Sequence, residues 1–104
     1  MRAINAEVSY LLERMERGVR ALDVEAIRDA ANRAREMSAM LDDSLKDKVD
    51  SAIDQARKAA RDIVRRIEKN GEDKAIVMLD IQRGFIESAR IAFLDMSETQ
   101  AVES

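Results

Sequence analysis

"LKDKVDSAIDQARKAARDIVRRIEKNG" (45–71) is the stretch that decides the fold. Its apolar residues, Leu45, Val49, Ala52, Ile53, Ala56, Ala60, Ile63 and Ile67, recur at three- and four-residue steps. That spacing puts one stripe on one side of a helix. Ser44 is the expected N-cap, with Asp47 three residues on, and "KNG" (69–71) the expected stop: a basic last turn, then Asn and Gly for a left-handed cap. A helix from 44 to 70 is ~40 Å long, whereas a compact domain of this size has a radius of gyration of only ~13 Å. The sequence therefore predicts an elongated arrangement or one that reaches across a dimer.

The same spacing recurs on both sides of this stretch. Ile4, Val8, Leu11, Leu12, Met15, Val19 and Leu22 predict a first helix over 3–17 or 3–22, with Gly18 leaving its end open. Asp23 is an N-cap for a second helix, with Leu22 and Ile27 placed as a hydrophobic staple around it. That helix carries Val24, Ile27, Ala31, Ala34, Met37 and Leu41, and "DDS" (42–44) reads as the turn that follows. A fourth helix runs from near Asp73 to about Glu98 and is apolar on more than one face, which predicts the most buried helix of the four. "AIRDAANRAREM" (26–37) and "AIDQARKAARDI" (52–63) share Ala, Ile, Ala, Ala and Arg at equal offsets, as two Ala-rich helices of one period do.

Composition agrees with helix. Aromatics are 3 % of 104 residues and proline is absent, so strand-forming residues are scarce and nothing forces a break. The fold expected is all-α: an antiparallel four-helix bundle, elongated and dimeric, as one domain over 1–98 with a polar tail over 99–104. The longest apolar run, "AIVML" (75–79), is far short of the ~20 residues that span a bilayer. Without a signal-like apolar segment and without cysteine, the expected location is cytoplasmic.

Chemistry is bounded by what is missing. There is no histidine and no cysteine, and glycines stand only at 18, 71 and 84. This removes the commonest general base, thiolate ligands and a glycine-rich phosphate loop. Asp42, Asp43, Asp47 and Asp50 lack the Gly and Glu of a calcium loop and fall where a helix begins, a position the dipole favours. The sequence thus predicts a protein that is not an enzyme, with no metal and no cofactor.

What remains is surface. Residues 42–54 hold five acids against two bases, a net −3, while 55–69 hold six bases against two acids, a net +4. Asp43, Asp47, Asp50 and Asp54, then Arg57, Arg61 and Arg65, fall on one line, placed about 200° from the apolar stripe at 100° per residue. Several are like-charged i, i+4 pairs, each costing roughly 0.2–0.5 kcal/mol. The dipole accounts for charge at the helix ends but fades before Asp54 and Arg57. The row is either a solvated face or a face that a partner neutralises, and an antiparallel second copy would set the acidic half against the basic half. On the fourth helix Gly84, Ser88 and Ala92 form a small-residue row flanked by Phe85. Such a row serves tight packing inside one bundle or contact between chains.

The function expected is a non-enzymatic interaction module, an adaptor or regulator that presents a helical face to a protein partner. The residues expected to carry it are Asp47, Asp50, Asp54, Arg57, Arg61 and Arg65, with Gly84, Phe85, Ser88 and Ala92. A homodimer is the expected oligomer. One alternative is a small acidic inhibitor, of the kind mobile elements encode, that blocks a nucleic-acid-handling enzyme. A second is nucleic-acid binding through the basic half of the third helix. A net charge of −3 and the scarcity of aromatics for base stacking weigh against that second alternative.

Overall fold

The chain folds into four α-helices: α1 (Ala3–Ala21), α2 (Val24–Ser38), α3 (Asp43–Asn70) and α4 (Glu72–Glu103). The structure is a computed structural model that describes residues 3–70 and 72–103, with side chains described for 3–65 and 80–96. Among the described residues there is no strand, so the protein is all-α. Each helix packs on the next, and α4 returns to α1; α1 and α3 also touch across the middle, whereas among the described residues α2 and α4 do not meet. The Cα envelope measures 50 × 21 × 18 Å, with a radius of gyration of 14.1 Å.

α1 takes the longer of its two expected ends and runs through Gly18 to Ala21. It closes with two backbone hydrogen bonds: Leu22 N–H donates to the Val19 carbonyl (3.2 Å) and Asp23 N–H to the Gly18 carbonyl (2.9 Å). This pairing is a Schellman cap, which needs a left-handed residue at the first position past the helix. Leu22 fills it, at φ 57°. A leucine there costs roughly 1–2 kcal/mol of backbone strain. The cost is offset because Leu22 packs its side chain against the core and directly precedes the next cap. That cap is Asp23, whose carboxylate accepts from the Ala26 N–H at 3.1 Å. Gly18 is buried beneath this turn. A Cβ added there would stand 2.8 Å from Ile27 Cγ1, so glycine is what lets α1 and α2 approach.

The second turn corrects the expected cap. Helix α3 starts at Asp43, and Asp42 caps it: its carboxylate accepts from the Leu45 N–H at 3.3 Å and its carbonyl from the Lys46 N–H at 2.8 Å. Ser44 lies inside the first turn and its hydroxyl donates to Asp42 at 3.5 Å. The reason is where Leu41 seats. It is 8 % exposed, in the core, and its burial fixes Asp42 as the residue that follows at the helix start. At the far end, the helix stops at Asn70 as expected, while Gly71 lies outside the described residues.

One core runs through the molecule. Val8, Leu11, Leu12, Met15 and Val19 of α1 meet Ile27, Ala30, Ala31 and Ala34 of α2 and Leu45, Val49, Ala52, Ile53, Ala56, Ala59, Ala60 and Ile63 of α3. Among the described side chains of α4, Ile86 and Phe93 alone are fully buried apolar residues, with Ala89 and Met96 packed alongside. The expectation that α4 would be the most buried helix is therefore overturned for its described residues. Ile81, Phe85 and Ile91 are 58 %, 57 % and 49 % exposed. The helix is apolar on several faces, and among the described residues it meets α1 and α3, which leave its outward face at Ile81, Phe85 and Ile91 uncovered. Ile67 and residues 76–79 of the expected stripes lie outside the described side chains. The backbone of α4 continues to Glu103, beyond the end near Glu98 that the sequence suggests.

Candidate interaction surfaces

The charged row of α3 lies on its seam with α2 rather than on its outermost face. Ser38 Oγ is 3.2 Å from Asp50 Oδ1 and 3.0 Å from the Arg35 carbonyl, and these two acceptors share its single proton. Arg35 pairs with Asp54 at 3.7 Å, and Arg57 donates to the Asn32 side chain at 3.1 Å. Numbers fall along α2 (38, 35, 32) as they rise along α3 (50, 54, 57), so the row is a ladder stitching two helices together. Asp47, Arg61 and Arg65 are exposed, and Arg61 lines a surface cleft with Arg57, Arg28 and Asn32. The acids at 42, 43, 47 and 50 do not converge: among the described residues no three acidic side chains are grouped so as to hold a metal ion.

Within the ladder Asp50 is the electrostatically distinctive group. Burial works against its charge. Hydrogen bonds from Lys46 (3.0 Å) and Ser38, with attraction to Lys46 and Arg35, outweigh that and hold its carboxyl below the ordinary 3.8.

The fourth-helix residues come together as a face. At 100° per residue, Ile81, Gly84, Phe85, Ser88, Ile91 and Ala92 occupy a sector of roughly 120° opposite the core residues Ile86 and Phe93. Phe85 and Ser88 are exposed, and Gly84 and Ala92 are half-buried. Among the described residues, nothing beyond the helix's own neighbouring atoms stands within 4 Å of a Cβ built on Gly84. At Gly84 itself, then, no described side chain takes up the space that the missing Cβ leaves.

The third side of α4 is polar and faces α1. Arg83 donates to Glu16 (3.1 Å), to Asp80 (3.2 Å) and to Glu87 (3.1 Å). Its two α4 acids, Asp80 first, raise its pKa further above the ordinary range. Arg90 Nε lies 3.4 Å from the other Glu16 oxygen, and Arg20 approaches at 3.9 Å. Glu16, 8 % exposed, is thus a buried carboxylate hydrogen-bonded by Arg83 with two further guanidiniums near it, although Arg90 Nε, itself buried, makes no hydrogen bond among the described residues. Nearby, Gln82 donates to Asp62 at 2.7 Å, linking α4 to α3.

Sequence reasoning missed Glu16 and the buried Asn5, whose side-chain oxygen has no partner among the described residues. A signal was present: Asn5, Val8, Leu12, Glu16 and Val19 share one helical line, so both polar residues sit on the apolar stripe. An open cleft of ≈ 650 Å³ between the α1–α2 turn (21–25) and Ile63 and Val64 gathers no comparable set of polar groups. Among the described residues, no helix is long and apolar enough to cross a membrane. In comparisons with known proteins, no family model, no curated protein and no solved structure matches this chain.

Proposed function

We propose that this chain is a non-enzymatic interaction module: an elongated, antiparallel four-helix bundle that docks through the outward face of α4. The observation that carries the reading is the uncovered face holding Ile81, Phe85 and Ile91, each about half exposed, around the small residues Gly84, Ser88 and Ala92. A monomer exposes single large apolar residues routinely, but a contiguous row of them marks a contact surface. The small residues let a second backbone come close, with Phe85 and Ile81 closing over the seam.

The occupant we favour is a second copy, because a two-fold axis sets an identical row against itself and needs no other complementary surface. The charged row of α3 supports this role less, since Asp50, Asp54 and Arg57 already have partners on α2. An acidic inhibitor of a nucleic-acid-handling enzyme is the rival reading, and its mark is salt-sensitive binding to a basic groove.

Because the chain has no cysteine, a single introduced thiol reports the contact. Ser88→Cys on the small row should oxidise to a linked dimer, since a disulfide needs Cα atoms within about 7 Å. Arg33→Cys, on the exposed side of α2, should link much more slowly. Equal rates at the two positions would count against the α4 contact.

A further inference from the structure

The α2–α3 ladder has a fourth rung that differs from the other three. Above Ser38–Asp50, Arg35–Asp54 and Asn32–Arg57, the next step of the same register sets Arg28 against Arg61. Each earlier rung joins a donor to an acceptor. This one joins two guanidiniums, with the Arg57 guanidinium one turn below. Arg28, Asn32, Arg57 and Arg61 line one cleft of ≈ 280 Å³. Among the described residues, none of the three arginines has a carboxylate partner. Of the nearest acids on α2, Asp29 pairs with Arg14 on the α1 side at 3.6 Å, and Glu25 lines the neighbouring cleft at the α1–α2 turn rather than this one. On α3, Asp54 is held by Arg35 and Asp62 by Gln82.

Three like charges gathered on one seam repel unless an anion sits among them. Guanidiniums present paired N–H donors in a planar fork that matches the oxygens of a phosphoryl group. Arg57 is already oriented, since its Nη2 is tied to Asn32 Oδ1. Among the described residues, its remaining N–H groups and the whole of Arg28 and Arg61 are free to donate. We propose that this cleft binds a single phosphoryl oxyanion, free or carried on a small molecule. A long polyanion fits less well, because the chain carries net charge −3 and the acidic half of α3 continues from the same seam.

The site is separate from the α4 face, so its test does not depend on the proposed dimer. The experiment is a titration of the full chain with inorganic phosphate at constant ionic strength, following arginine Nε–H and asparagine side-chain NMR signals. The expected result is saturable shifts at Arg28, Asn32, Arg57 and Arg61, with Arg33 and Arg83 unmoved. Arg61→Gln should weaken binding tenfold or more, and Arg28→Gln likewise, with Arg61→Lys between the parent and Arg61→Gln. Both arginines are exposed and make no partner contact among the described residues, so helical circular dichroism should be unchanged in either variant. A parallel arm uses a single-stranded oligonucleotide across a range of salt. Shifts that stay linear in phosphate or spread evenly over all arginines would overturn the proposal. So would an oligonucleotide bound with a salt slope of four or more phosphates, more than three guanidiniums can neutralise.

Discussion

Two glycines in helices of one chain should respond to the same substitution with opposite signs. Replacing a helix-interior glycine by alanine gains about 1 kcal/mol of helix propensity. At Gly84 nothing among the described residues outside the helix's own neighbouring atoms lies within 4 Å of the added Cβ, so that gain should appear nearly in full, as about 0.5–1 kcal/mol of stability. At Gly18 the added Cβ would meet Ile27 Cγ1 at 2.8 Å and the Ile27 backbone nitrogen at 3.3 Å. Ile27 is fully buried and its N–H is held by the Asp23 carbonyl at 3.1 Å, so neither atom can withdraw without moving α2. Overpacking of this kind costs about 1–3 kcal/mol. After the propensity gain, Gly18→Ala should lose about 1 kcal/mol. The two variants should therefore differ by about 2 kcal/mol in urea unfolding. For a domain of this size each kcal/mol shifts the melting temperature by about 4–8 °C. The measurement belongs at low micromolar protein, where self-association adds little to stability. Equal shifts in the same direction would refute the reasoning, because they would mean that the α1–α2 approach does not depend on a missing side chain.

Three further outcomes follow from the turns and the buried charges. Asp42→Ala should cost about 1 kcal/mol as a lost helix cap, while Ser44→Ala should cost little; circular-dichroism melts of the two separate the observed cap from the one expected. Glu16→Gln should destabilise by about 1–3 kcal/mol in chemical denaturation, since it removes a buried charge that Arg83 and Arg90 both address; Glu16→Asp, too short to reach both, should fall between. Asp50 has a folded pKa below its ordinary 3.8. Its contribution is therefore complete above that value and is lost as pH falls through the lower folded pKa. Asp50→Asn should be less stable than the parent at neutral pH, with the gap closing below about pH 4 when unfolding is followed against pH.

Much of the fold was legible because three helices carry a single apolar stripe. Every described stripe residue of α3 from Leu45 to Ile63 is buried, and Asp23 caps α2 as its position beside Leu22 implied. The second cap was harder, since Asp42, Asp43 and Ser44 can each cap a helix. The choice among them depends on Leu41 reaching the core, which is a tertiary fact. The α3 charge row looked free because its partners, Asn32, Arg35 and Ser38, lie on another helix with no sequence mark of register. Glu16 was passed over for the same reason: its guanidinium partner Arg83 is 67 residues away. For α4, several apolar faces suggested deep burial, yet burial depends on how many neighbours a helix has. Among the described residues it has two, and that leaves Phe85 outside.

The α4 face is the central claim, and solution mass by light scattering after size exclusion, at low and high salt, tests it most directly. The account predicts twice the 11.7 kDa chain mass at both salts. Arg61→Glu/Arg65→Glu should leave that mass unchanged, and Phe85→Lys should halve it. A monomer throughout, or a dimer that dissociates in salt or on charge reversal yet tolerates Phe85→Lys, would contradict it.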